Sequence, residues 1–267
     1  MFVTKSNIVA FLCLLTVSFL LVVGCSQNTN VSNNTSNQEL TVSAATSLKN
    51  AMEAVEPLYE KENTNVKLTY NFASSGSLQR QIEQGAPVDV FISAAPKQMN
   101  ALEEKGLLLE STRKNLLNNQ MVLIVPKDST TAVTNFKSLT SDSVKKIALG
   151  EPDSSPAGRY GKEILTYLGI FDKIKPKIVY GKNVRQVLNY VATGNVDTGI
   201  VYSSDTKVSD QVKIVETAPP GSHSPIVYPI AVLKDSRNSD LAKNFVEFMF
   251  SNVAEAQFTE YGFAIPN

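Results

Sequence analysis

From Leu40 onward the chain alternates between two hydrophobic periods, and few folds accommodate that pattern. Residues 40–44 form an apolar, strand-like run. Leu48, Met52, Val55 and Tyr59 then recur at spacings of four, three and four, the period of one helix face. Residues 66–72 alternate as a strand, and a helix through Leu78 and Ile82 stops at Gly85. Residues 88–93 read as a buried strand and residues 96–105 as a helix. This βαβαβα order with short loops predicts a mainly parallel sheet flanked by helices on both faces.

A second set follows a strand at residues 121–125 that Pro126 ends. It comprises a strand at 147–149, a helix from Pro156 and a strand at 178–180. A helix through Val184, Val187 or Leu188 and Val191, then a strand at 199–202, complete it. Residues 212–215 add a further strand, residues 226–233 read as a long one, and residues 240–250 and 253–261 read as helices. The expectation is an α/β fold of two lobes, one of residues 39–121 with 228–267, the other of residues 122–227. Strands 121–125 and 226–233 would be the crossovers. Ligands of such folds bind beyond the carboxyl ends of the strands, where the lobes face each other.

Residues 1–24 lie outside this pattern. Lys5 gives a weakly positive start, and the apolar run 8–23 is broken only by Thr16 and Ser18 before Val22-Val23-Gly24-Cys25. That is a secretory signal, and it resembles the bacterial lipoprotein type in which Cys25 becomes the lipidated first residue. A membrane-spanning helix fits less well, because the run is slightly short and ends in Gly-Cys rather than a basic stop. The chain has two cysteines, Cys13 and Cys25, so removing the signal leaves no pair for a disulfide in the body. Residues 26–38, SQNTNVSNNTSNQ, are polar and nearly uncharged, the composition of a flexible tether. Anchor plus tether predict an exported soluble domain held at the outer face of the cell membrane or on the periplasmic side.

Most enzyme chemistries lack their residues. His223 is the only histidine, which excludes His-rich zinc sites. A serine hydrolase on an α/β scaffold would need His223 as its base, yet there is no G-x-S-x-G elbow. No P-loop or G-x-G-x-x-G follows a strand. Basic and acidic residues balance at 25 each without a basic stripe, so nucleic acid is not an expected partner. Neither an enzyme nor a cofactor is expected.

Small hydroxyls and helix starts recur instead where strands end. Thr46-Ser47 follows the first strand, and Ala73-Ser74-Ser75-Gly76-Ser77 the second. Ser155-Pro156-Ala157-Gly158 opens a helix in the second set, Asn183 and Gln186 have capping-box spacing, and Tyr202 closes a strand. Singly, each has an ordinary explanation: Ser47, Ser75 and Asn183 as N-caps, Ala157 as a small residue, Tyr202 as core. Together they would fall on one side of two sheets, where free N–H groups and helix dipoles favour an anion.

The segments AATSLKNAM, FASSGSLQRQIEQGAPVDVFISA, PAGRYGKE, NVRQVL, GIVYSSD and FTEYGFAIP, in this order, closely resemble the molybdate-binding proteins of bacterial ABC importers. The resemblance runs from about Glu39 to the end. It implies a type II periplasmic-binding-protein-like fold and binding of molybdate, with tungstate as a near match. It further implies delivery to the membrane permease subunits of an ABC importer and a monomeric carrier. The oxyanion ligands it implies are the hydroxyls and amides of Ser47 and Ser75, the amides of Ala157 and Val184, and the hydroxyl of Tyr202. Such a pocket suits a fully deprotonated tetrahedral anion, which only accepts hydrogen bonds. Helix dipoles replace counter-charge there, so Arg159 and Lys182 read as solvated charges. Sulfate, of the same shape but with shorter bonds, is the alternative ligand, and pocket size decides between them. Donors from both lobes imply hinge closure about the crossover strands.

Overall fold

The computed structural model describes residues 38–266 of the 267-residue chain. The signal at 1–24, the lipidation site Cys25 and tether residues 26–37 lie outside the described residues. Gln38, read as the end of the tether, is the first residue of a strand.

In chain order the elements are β1 (Gln38–Ala45), α1 (Lys49–Glu62), β2 (Val66–Ala73), α2 (Ser75–Glu83), β3 (Val90–Ile92), α3 (Pro96–Glu104) and β4 (Lys114–Asn118). Next come β5 (Met121–Pro126), β6 (Ile147–Gly150), α4 (Pro156–Tyr167), α5 (Phe171–Ile174), β7 (Ile178–Gly181), α6 (Val184–Ala192), β8 (Thr198–Tyr202) and β9 (Val212–Thr217). β10 (Val227–Val232), α7 (Ser239–Phe248) and α8 (Asn252–Glu260) finish the chain.

The strands build two sheets, ordered β2-β1-β3-β10-β4 and β7-β6-β8-β5-β9. The orders are equivalent: in each sheet three parallel strands run second-first-third, and the next place is taken by a strand that belongs elsewhere in chain order. β10 is antiparallel to β3 and β4, and β5 is antiparallel to β8 and β9. Four of the five strands in each sheet therefore share a direction, although half of the pairings are antiparallel. A strand entering from the other lobe arrives at the opposite end of the sheet, which reverses its direction.

The expected crossovers need correcting in one respect. β5 lies wholly in the second sheet, beginning with Met121 paired to Tyr202, and β10 lies wholly in the first. The chain passes between sheets in the irregular segments just before each of them. These passages touch, since the Asn119 N–H donates to the Ile226 carbonyl at 3.2 Å.

Packing follows the periodicity. β1 is an interior strand and buries Leu40, Val42 and Ala44 completely, while α1 lays Ala51, Met52, Val55 and Tyr59 on the sheet. Tyr59 meets Phe245 and Phe248 of α7 edge-on at 5.1 and 5.2 Å, which fastens the C-terminal helices to the first lobe. No helix among the described residues is long and apolar enough to cross a membrane.

Candidate functional site

The carboxyl ends of β1 and β2 face those of β6, β7 and β8 across a small cavity of about 10 Å³. Its lining comprises residues 45–47, 73–75, Ala94, 155–157, Asn183, Val184 and Tyr202. Ser47, Ser75, Ala157, Val184 and Tyr202 are thus brought together, and all five are buried. Among the described residues no charged side chain lines this space. Its volume leaves room for one water-sized group, far below the roughly 300–1,000 Å³ of a drug-sized pocket.

The capping explanations fail for the two serines. Ser47 lies inside a short 3₁₀ turn, Thr46–Leu48, and Ser75 is the first residue of α2, after Ser74 at the N-cap. Neither hydroxyl caps a helix. The Ser75 Oγ accepts from the Ala94 N–H at 2.9 Å, which leaves its own proton for the cavity. The Ser47 Oγ is 3.0 Å from the Tyr228 hydroxyl. Ser155 does occupy the N-cap of α4, again without a side-chain cap bond.

On the opposite wall the donors are main-chain groups. Ala157 and Val184 belong to the first turns of α4 and α6, where helix geometry leaves N–H groups without intrahelical partners. Gly158 brings the start of α4 onto the end of β6: a Cβ there would lie 2.0 Å from the Gly150 carbonyl oxygen. α6 is held by Asn183, whose side chain accepts from the Gln186 N–H at 3.0 Å. Gln186 returns a bond at 2.7 Å to the Lys182 amide, one residue earlier than a strict capping box requires. Lys182 is exposed, and Arg159 pairs with Glu163 and covers the Tyr160 ring. Neither cation lines the cavity.

Two buried oxygens in the lining have no hydrogen-bond partner, Tyr202 OH and Thr46 Oγ1. An unpartnered buried hydroxyl costs about 1–3 kcal/mol, so a pair of them in one cavity leaves two groups free to bond a small molecule. Burial first, then the neighbouring tyrosines, holds the Tyr202 phenol well above its ordinary pKa, so it remains a donor. Thr46 was recognised in the sequence only as a neighbour of Ser47.

Behind Tyr202 lies a charged pair that sequence reasoning missed. The fully buried Asp205 accepts from the Tyr202 N–H at 3.2 Å and stands 3.7 Å from Arg185 of α6. Burial pushes the Asp205 carboxyl up to about 6, against the pull of Arg185 and of that N–H. The sole histidine, His223, lies outside the cavity lining, with its Nδ1 2.7 Å from the Ser224 carbonyl oxygen. Among the described residues no cluster of three or more His, Cys, Asp or Glu could hold a metal.

The two lobes meet next to the lining residues Ser75 and Ser155. The Gly76 N–H donates to the Ser154 carbonyl at 3.0 Å, and a Cβ at Gly76 would lie 2.6 Å from that oxygen.

Residues 40–264 match the family of bacterial extracellular solute-binding proteins. The chain is 47% identical over 246 residues to YvgL of Bacillus subtilis (strain 168), provisionally named an ABC transporter substrate-binding lipoprotein. That match covers 92% of this chain and 94% of YvgL. It is 39% identical over 229 residues to the molybdate-binding protein ModA of Haemophilus influenzae, covering 85% of this chain and 90% of that one. Among solved structures it resembles the substrate-binding domain of a provisionally assigned molybdenum ABC transporter from Clostridium difficile. There the TM-score is 0.67 at 50% identity, over 86% of this chain and 99% of that one.

Proposed function

The chain belongs to the bacterial extracellular solute-binding proteins, and from that premise we propose that it captures molybdate outside the cytoplasm and delivers it to the permease subunits of an ABC importer. The observation that carries this reading is the lining: hydroxyls and first-turn amides from both lobes, two hydroxyls without partners, and no charged side chain. Such a set offers hydrogen bonds to an anion that only accepts them. Ser47, Ser75, Ala157, Val184 and Tyr202 are the proposed ligands, with Thr46 beside them.

About seven charge-assisted bonds at roughly 1.5–3 kcal/mol each outweigh association costs of about 4–15 kcal/mol over much of that range. Tungstate, of nearly the same size and charge, binds alongside molybdate on this reading. Phosphate is disfavoured because the lining supplies no carboxylate to accept its remaining proton. Sulfate is the competing ligand, separated by size.

A thermal-shift panel with molybdate, tungstate, sulfate and phosphate tests the reading. Large upward shifts are expected with the first two only. An equal shift with sulfate overturns the specificity, and no shift with any anion overturns the function. Export and lipid anchoring through Cys25 belong to the same proposal, supported by the signal-like leader and by the lipoprotein name of the Bacillus relative. A Cys25→Ala variant is expected in the soluble extracytoplasmic fraction instead of the membrane fraction.

A further inference from the structure

The geometry points to Tyr228, oriented by Asn119, as the residue that fixes the Ser47 hydroxyl as a donor toward the ligand and so makes the site select anions that only accept. The inference rests on the oxyanion reading above and concerns two residues outside the cavity lining.

The direction of every bond in the chain follows from its far end. The Gln120 N–H donates to the Asn119 Oδ1 at 2.9 Å. A main-chain N–H cannot accept, so this contact assigns the amide: oxygen toward Gln120, nitrogen toward the hydroxyls. The Asn119 Nδ2 then directs one proton to the Ser204 Oγ at 2.8 Å and the other to the Tyr228 hydroxyl at 3.4 Å. The Tyr228 oxygen therefore accepts from Asn119, the second of these being the longer and weaker bond.

Among the described residues the Tyr228 hydroxyl has two hydrogen-bonding neighbours, Asn119 and Ser47. Asn119 presents only protons, so Ser47 is the only acceptor for the phenolic proton. Ser47 thus receives at 3.0 Å from Tyr228, and its own proton is left for the cavity. Burial keeps the Tyr228 phenol protonated and hence a donor. The ring is held edge-on between Tyr202 at 5.8 Å and Phe263 at 5.5 Å, so the hydroxyl is not free to swing away.

The arrangement repeats what the Ala94 N–H does for Ser75. Both serines accept from behind and donate in front. A free serine hydroxyl would turn to accept from a protonated anion such as hydrogenphosphate. One already accepting from a buried phenol has its proton turned toward the cavity and only one lone pair left, which favours an anion that accepts over one that donates. Tyr228 and Asn119 are thus positioning residues that act through Ser47.

The test is a double-mutant cycle read by calorimetric titration of the full chain with molybdate, each variant first checked by thermal melting. Tyr228→Phe keeps the ring and removes the hydroxyl, and is expected to weaken binding about tenfold. In the Ser47→Ala background the same substitution is expected to change affinity less than about twofold, because its effect travels through the missing hydroxyl. Asn119→Ala, which leaves Tyr228 intact, is expected to weaken binding about threefold and likewise lose its effect without Ser47. Equal losses in both backgrounds would mean a merely structural role and overturn the proposal, as would an unchanged affinity in Tyr228→Phe. If Tyr228→Phe does not fold, the Asn119→Ala cycle decides by the same criterion. If the unsubstituted chain does not bind molybdate, or Ser47→Ala leaves its affinity unchanged, the oxyanion reading of Ser47 fails first and the relay with it.

Discussion

The two walls of the cavity reach one chemical end by different means. The first lobe offers side-chain hydroxyls, Thr46, Ser47 and Ser75, and the two serines are held from behind by Tyr228 and the Ala94 N–H. The second lobe offers main-chain N–H groups at Ala157 and Val184, with the Tyr202 hydroxyl. A hydroxyl can rotate, so it needs neighbours to orient its proton. An amide is oriented by the helix that carries it, and what it needs is a helix start placed close to the sheet. The first wall is therefore sensitive to side-chain chemistry and the second to backbone approach.

The largest effect separating the walls is expected at Gly158. A Cβ there would meet the Gly150 carbonyl oxygen at 2.0 Å, so Gly158→Ala forces α4 away from β6. The expected cost is about 3 kcal/mol of stability, read by urea denaturation, and an unchanged midpoint would show that the approach is not required. Next, Ser75→Ala is expected to lose about 1–3 kcal/mol of molybdate affinity, while Ala157→Ser, which keeps the amide, loses less than about 0.5 kcal/mol. Titration calorimetry on the pair decides it: comparable losses would erase the distinction between side-chain and main-chain walls.

The last effect is a pH dependence and concerns Asp205. Its folded pKa is raised from 3.8 to about 6, so the associated stability is fully present below the unfolded value and is lost as pH rises through about 6. Asp205→Asn removes that titration. The stability of the variant relative to the unsubstituted chain is expected to rise between pH 4 and pH 7, by about 2 kcal/mol. A difference that stays flat across this window would place the carboxyl's titration elsewhere.

Much of this was legible from the chain. The 3.6 and 2.0 periods gave α1, α6 and the inner strands because those elements bury one continuous face. β4 escaped because its sequence, KNLLN, carries only two apolar residues, as suits a strand paired on one side alone. Ser47, Ser75, Ala157 and Tyr202 stand where a strand meets a helix or turn, but Val184 and the ligand roles of all five came from the family resemblance. Tyr228 carries no such signal: in VYPIAV it reads as one more core residue, and its hydroxyl partner Ser47 is 181 positions away. Nor does the sequence around Asp205 mark it as buried. Its burial against Arg185 depends on α6 folding back onto β8, which no local pattern announces.

The insertion of β10 into the first sheet has a consequence for the order in which the molecule can be completed. The second sheet draws all its strands from one uninterrupted stretch, β5 to β9. The first is assembled from strands at opposite ends of the body, with Ile92 of β3 pairing to Ile230 of β10. β4 reaches that sheet only through β10. As the chain emerges from its amino end, β3 presents an unpaired edge and β4 has no place to attach until Val227–Val232 appears. The lobe that begins the sequence is thus the last to close, and its open edge is the surface most exposed to wrong partners meanwhile.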